Sequence, residues 1–199
     1  KRIEKNCVLV FVGDNDDNEY GRRVTESIEK NGFKSSIRIT GWTDAKVYIS
    51  YLSAADVGVQ LRFKSRGETS AAVLDCMNYE LPVIVNDEGS ITDFPDDAVF
   101  KVAQNFDDVE LSDAITIFAQ DSEKRSLFGQ RAKQLVLDQH TPQHCASEYF
   151  KTIETFYQNA LFSSKSALVK SIAHRKDGSL SNQECINLAK SISNSIPTD

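Results

Sequence analysis

The segment RFKSRGETSAAVLDCMNYELPVIVNDEG, Arg62 to Gly89, holds the residues whose types and spacing could do chemistry. Its Gly67-Glu68-Thr69-Ser70 turn leads into an apolar, helix-forming stretch. A helix that begins there presents unpaired backbone N–H groups and the positive end of its dipole, which together suit a phosphate. Thr69 and Ser70 are N-capping residues by type, and Ser70 could cap and bind at once. Asp75 follows about one and a half turns later, between Leu74 and Cys76, where its carboxylate could accept hydrogen bonds from sugar hydroxyls. Phosphate beside a diol is the pattern of a nucleotide. Each residue also has a plainer role open to it. Glu68 could simply complement the helix dipole, and Asp75 could be a solvated helix position. Arg62, Lys64 and Arg66 could steer a diphosphate or could be an ordinary solvated loop.

Other candidates are weaker. Asp14-Asn15-Asp16-Asp17 has the look of a metal-binding acidic run, but such loops after a strand ordinarily do turn and capping chemistry. His140 and His144 have the spacing of ligands on a helix, yet Pro142 lies between them and no third ligand is evident, so a surface role is expected. Trp42, after Gly41, could stack a base or pack under a sheet. The cysteines, Cys7, Cys76, Cys145 and Cys185, show no CxxC pair and no zinc spacing; three lie in apolar contexts and are expected as buried free thiols. No metal and no cofactor are expected. A formal net charge of −6 over 199 residues argues against a nucleic-acid binder. No apolar run approaches the roughly 20 residues that cross a bilayer, and no secretory leader is recognised, so the expected location is cytoplasmic.

The elements that must position these residues alternate. Cys7–Val12 is an apolar run expected as a strand buried on both faces. Tyr20–Lys30 reads as a helix closed by Asn31-Gly32, and Ser36–Thr40 as a second strand ending at Gly41-Trp42. Thr43-Asp44 caps a helix that places Val47, Tyr48, Tyr51 and Leu52 on one face. Val57–Leu61, the helix Thr69–Tyr79, and the strands Leu81–Val85 and Ala98–Val102 follow. Strict β-α alternation predicts an α/β, Rossmann-like, doubly wound parallel sheet. Ligands of such sheets bind at the carboxyl ends of the strands, where the loops after Gly13, Gly41, Leu61 and Asn86 converge. Three helices are then expected, Val109–Gln120, Ser122–Asp138 and Pro142–Leu161, forming a helical C-terminal extension. Residues 1–162 are expected as one domain. Residues 163–199, rich in Ser, Lys and Asn, are expected as a linker or tail with a weak helix near Asn182–Ile192.

From Val8 to about Tyr157 the order of motifs resembles the C-terminal, donor-binding half of a family-4 glycosyltransferase of the GT-B fold. VLVFVGD, the strand ending in TGW, YLSAADVGVQL, RGETSAAVLDCMNYELPVIVNDEGS and DSEKRSLFGQRAKQLV carry the likeness. The resemblance implies a nucleotide-sugar donor, sugar transfer with retention and no metal. It implies that Glu68, as the catalytic residue, contacts the donor sugar hydroxyls, with Arg66, Gly67 and Thr69 also in the substrate site. The amides near Ser70, Ala71 and Ala72 would cradle the diphosphate, Asp75 would hold the ribose, and Gly41 would lie at the donor rim. The family's acidic pair is usually Glu, seven residues, Glu; here the second acid is Asp75, and the spacing from Glu68 is one residue shorter. The resemblance further implies an N-terminal GT-B domain carrying the acceptor site, and peripheral association with a membrane through the acceptor. GETS-type turns of this kind resemble those of O-antigen and surface-polysaccharide mannosyltransferases, which makes a GDP-mannose-like donor and a polysaccharide or glycolipid acceptor the expectation.

Two other classes compete. A GT-B domain that has lost catalysis and serves as a scaffold is kept open by the shortened acidic spacing. A response-regulator receiver would fit the acids after the first strand, but it needs an aspartate at the end of the third strand, where Gln60-Leu61 stand. A dinucleotide-dependent oxidoreductase is set aside, because no GxGxxG follows the first strand and the loop there is acidic.

Overall fold

Val83, Ile84 and Val85 have no solvent exposure at all, and the strand they form is the middle one of a three-stranded sheet. The computed structural model describes residues 7–173 and 181–194. Along the chain run β1 (Leu9–Phe11), α1 (Glu19–Lys30), β2 (Ile37–Ile39), α2 (Ala45–Ala54), β3 (Gly58–Gln60), α3 (Ala71–Asn78) and β4 (Val83–Asn86). A short 3-10 helix (Gly89–Asp93) leads to β5 (Phe100–Val102), α4 (Asp108–Gln120), α5 (Ser122–Gln139), α6 (Pro142–Ala173) and α7 (Asn182–Asn194). Every strand pairing is parallel, as the β-α alternation requires: β1 with β2, and β3 with β4 with β5.

The strands form two sheets, of two and three strands, rather than one. Among the described residues no strand pairing joins β1 to β3. The run at the start of the chain also departs from expectation. Val8, Leu9 and Phe11 are 58%, 42% and 45% exposed instead of buried on both faces. Among the described residues little is laid over this pair: of α1 only Gly21 is buried. That glycine is pressed onto its own N-terminal loop, where an added Cβ would meet the Asp16 carbonyl oxygen at 1.8 Å.

The core lies on the two faces of the three-stranded sheet. On one face Val83 and Val85 pack with Val73, Cys76 and Met77 of α3, Leu52 of α2, and Ala132 and Leu135 of α5. On the other, Ile84 and Val102 pack with Ala114 and Phe118 of α4. The rings of Phe100, Phe118 and Phe128 meet edge-on or tilted there, with centroids 5.3–6.1 Å apart. Alternate residues of β4 thus serve opposite layers, which is why its run carries no polar residue before Asn86.

Of the three thiols described, only Cys76 is buried; Cys7 and Cys145 are half-buried. The chain divides into two compact units, Lys1–Cys145 and Ala146–Asp199. In the second, α6 continues through Leu161 and Phe162 to Ala173, so the expected end of helix at Leu161 is twelve residues early (173 − 161). The weak helix expected near Asn182–Ile192 is α7. His174 lies outside the described residues. No described helix is long and apolar enough to cross a membrane.

Candidate functional site

The turn between β3 and α3 is held in shape by one buried side chain. Asn86, 2% exposed at the end of β4, accepts from the Arg62 amide at 2.7 Å and donates to the Arg62 carbonyl at 2.6 Å. This reciprocal pair fixes where Arg62 leaves the sheet. The loop then doubles back. Ser65 donates its amide to Glu88 at 3.2 Å, and Glu88 also accepts from Gln104. Ser90 donates to the Glu68 carbonyl at 2.9 Å. Gly89 makes the approach of the two loops feasible: an added Cβ would lie 2.2 Å from the Ser65 hydroxyl oxygen, and its φ of +60° favours glycine.

Ser70 caps α3, its hydroxyl accepting from the Val73 amide at 3.4 Å. The first helical residues are therefore Ala71 and Ala72, whose amides, with no carbonyl of a preceding turn to meet, point to the strand ends. Arg62 reaches across this helix start. Its Nη1 lies 2.6 Å from Glu68 Oε1, and its Nη2 donates to Ser70 Oγ at 3.1 Å. The other Glu68 oxygen accepts from the Arg66 amide at 2.8 Å. Hydrogen bonds from its own amide and from that of Arg66, with the Arg62 charge adding, hold the Glu68 carboxyl below the usual carboxylate range. Both oxygens of Glu68 are thus engaged within the chain. The Arg62 guanidinium, the cap hydroxyl and the amides of Ala71 and Ala72 together form a small cradle of donors beside the Glu68 carboxylate, suited to an anion with several oxygens.

Asp75 lies five residues beyond Ser70, about 7 Å along the helix. It lines an open groove with Leu74, Asn78, Val136, His140 and Thr141. Its Oδ2 accepts from the Tyr48 hydroxyl at 3.1 Å.

The structure therefore gathers Arg66, Gly67, Glu68, Thr69, Ser70, Ala71 and Ala72 at one turn, with Asp75 on the helix they start. Gly41 follows β2 in the two-stranded sheet. With a φ of +72°, it bridges Gly13, and Gly13 donates to Thr40 Oγ1 at 3.0 Å. Among the described residues no hydrogen bond or ion pair joins residues 7–41 to the α3 turn. Trp42 is 76% exposed, so it does not pack under a sheet. The acidic loop after β1 does capping chemistry: Asn18 accepts from the Gly21 amide at 2.9 Å and Asn15 donates to the Gly21 carbonyl at 2.9 Å. Among the described residues no cluster of three or more His, Cys, Asp or Glu could hold a metal ion. Sequence reasoning missed the roles of Asn86, Glu88 and Tyr48. Only Asn86 gave a signal, as a lone amide closing a wholly apolar strand.

Comparison with known proteins bears on this geometry. A search of curated proteins gives no match. Among solved structures, sucrose-phosphate synthase from Thermosynechococcus elongatus is 18% identical, with a TM-score of 0.62 over 76% of this chain and 39% of that one. HepE from Anabaena, in complex with UDP-glucose, is 14% identical, with a TM-score of 0.67 over 77% of this chain and 42% of that one. The C-terminal domain of LpcC, a glycosyl transferase group 1 family protein from Francisella tularensis, is 19% identical, with a TM-score of 0.56 over 63% and 65%. The chain spans about two-fifths of the length of the first two. At such identities the likeness shows the fold, that of GT-B glycosyltransferases. The family model described as glycosyl transferases group 1 matches residues 1–135, which takes in both sheets, the α3 turn and Asp75. On that match, the chain belongs to the group 1 glycosyl transferase family.

Proposed function

We propose that this chain is the donor-binding half of a retaining, family-4 glycosyltransferase, which moves a sugar from a nucleotide-sugar to a polysaccharide or glycolipid acceptor. The observation that carries the reading is the Arg62 guanidinium held across the open amides of α3 by Glu68 and Ser70, with the Arg62 backbone fixed by Asn86. The leaving group of glycosyl transfer is a nucleoside diphosphate that gains negative charge as the glycosidic bond breaks. Oriented amides and a fixed cation stabilise that charge more in the transition state than in the ground state. Asp75 would then accept from the ribose hydroxyls. Arg66, Gly67 and Thr69 would border the donor sugar, and Gly41 the rim of the same cleft. Glu68 acts first by holding Arg62, and reaches the sugar only if that pair opens. HepE, which shares the fold, was solved with UDP-glucose. A GDP-mannose-like donor remains the reading drawn from the GETS-type turn. The acceptor site belongs to an N-terminal GT-B domain, and the enzyme works at the cytoplasmic side, meeting a membrane through its acceptor.

Calorimetry of the chain against UDP, GDP, ADP and their sugars tests this reading. One nucleoside diphosphate should bind, and Asp75→Ala should weaken it. Absence of binding by all three would remove the donor-site assignment. The engagement of both Glu68 oxygens favours a second reading, a GT-B scaffold without catalysis. Donor binding by a full-length protein that never transfers sugar would establish it.

A further inference from the structure

Tyr48 has no part in the chemistry described so far. It lies near the start of α2, whose first turn is capped by the Asp44 carboxylate accepting from the Val47 amide at 2.8 Å. Its ring packs against the core cluster that holds Leu52, Val73, Cys76 and Met77. A ring seated in this way leaves the hydroxyl little freedom, and that hydroxyl donates to Asp75 Oδ2 at 3.1 Å across the α2–α3 seam. Burial first, and the Asp75 charge next, push the phenol up to about 12, so it keeps its proton and remains a donor at every working pH. Asp75 Oδ1 accepts no hydrogen bond from the described residues, and Asp75 lines the groove with Asn78, His140 and Thr141.

We propose that Tyr48 is a positioning residue: by holding Asp75 Oδ2 it fixes the carboxylate so that Oδ1 faces the groove as the acceptor for a ribose hydroxyl of the donor. The inference rests on the assignment of Asp75 to the ribose made above. The physical reason lies in reach. An aspartate has a short side chain, and its terminal torsion is broad and weakly restrained. A free Asp75 would spread its oxygens over several orientations and would lose freedom on binding. A carboxylate already held at one oxygen has lost that freedom beforehand, so more of the hydrogen bond appears as affinity. Oδ1 is the oxygen without a partner among the described residues, and the gain expected from the ribose is that of one charge-assisted hydrogen bond to it.

The test compares UDP and GDP with their 2′,3′-dideoxy counterparts by calorimetry on the 199-residue chain. The wild type should prefer the ribose form by about tenfold or more, the effect of one hydrogen bond to a charged group. Asp75→Ala should abolish the preference. Tyr48→Phe should remove most of it while leaving affinity for the dideoxy form unchanged, a split that mere loosening of the fold would not produce. In the Asp75→Ala background, Tyr48→Phe should have no further effect on the preference. Full ribose preference in Tyr48→Phe would overturn the role of Tyr48 while leaving Asp75 in place. Full preference in Asp75→Ala would overturn both assignments. Failure of wild type to bind UDP, GDP or ADP would overturn the donor site itself.

Discussion

The Arg62 guanidinium is shared between Glu68 and Ser70, so a change at either partner is felt at the other. Ser70 is the more exacting of the two because it is only 1% exposed and its hydroxyl serves two donors, the Val73 amide and Arg62 Nη2. Removing the hydroxyl leaves a helix end without its cap and a guanidinium nitrogen without that partner. Ser70→Ala should therefore lower stability by about 1 kcal/mol, read as a shift of the urea midpoint. It should also weaken diphosphate binding, since Arg62 is then fixed from one side only. A midpoint that does not move would mean that the cap is not formed in solution. Glu68 differs. Its carboxylate lies in solvent and its ion pair with Arg62 is half exposed, so Glu68→Gln should act on ligand affinity and leave the urea midpoint close to wild type. Its carboxyl is held below the usual carboxylate range. It is therefore ionised throughout the neutral range, and whatever it contributes to stability is lost only as the pH falls through that lowered value. A pH profile of donor binding that bends between pH 6 and 8 would have to arise from another group.

At the scale of elements, the fold depends on how closely α3 and α5 approach. Gly129 of α5 sits against the turn after α3, where an added Cβ would come 2.0 Å from the Glu80 carbonyl oxygen. The obstacle is backbone, not a side chain that can swing aside, and Glu80 itself already has a φ of +58°. Gly129→Ala should cost about 2–3 kcal/mol, seen as a lower denaturant midpoint with the helical signal retained; an unchanged midpoint would show that the helices are further apart. The α2–α3 seam predicts a pH effect of definite sign. Burial pushes the Cys76 thiol from 9.0 up to about 11, and Tyr48 rises from 10.0 to about 12. Both groups hold their protons more tightly folded than unfolded, so stability is full below about pH 9 and falls as the pH rises to about 12. Urea midpoints measured across that window should decline, and Tyr48→Phe should flatten the upper part of the decline. Local signals in the chain foretold much of this architecture. Asp44 and Ser70 are caps because a cap depends on residues only a turn away, and Asn31-Gly32 end α1 for the same reason. The Arg62–Glu68 pair was not legible, because the place where Arg62 leaves the sheet is fixed by Asn86, 24 residues away. Tyr48 looked like one more residue on an apolar face, and only tertiary packing sets its hydroxyl against Asp75.

Within the unit Lys1–Cys145, burial is unevenly spread, and that unevenness should be measurable. The three-stranded sheet is covered on both faces, with Val83, Ile84 and Val85 wholly buried under α3, α5 and α4. The two-stranded sheet has a single pairing, of Leu9–Phe11 with Ile37–Ile39, and Leu9 and Phe11 remain more than 40% exposed. Six apolar residues in a row, Cys7 to Val12, led to the expectation of a strand covered on both sides. The sequence pattern reports what a strand can bury, whereas the number of layers laid over it is a property of the assembled molecule. No hydrogen bond joins residues 7–41 to the α3 turn among the described residues, so the opening of this part breaks no hydrogen bond of that turn. Local opening free energies scale with the buried contacts an opening disrupts. Amide hydrogen exchange should accordingly show Leu9–Phe11 and Ile37–Ile39 opening well below the global unfolding free energy, while Val83–Asn86 and the amides of α3 beyond its first turn exchange only on global unfolding. The site divides along the same line: the Arg62–Asp75 part should be rigid and the Gly13–Gly41 rim mobile. A nucleoside diphosphate seated only at α3 should slow exchange at the amides near Ser70, Ala71 and Ala72 and leave the rim unchanged, whereas a donor that also draws in Gly41 should slow both. Equal protection of the two sheets in the free chain would show that the first sheet is tied into the core after all, and the rim would then belong to the same rigid body as the phosphate cradle.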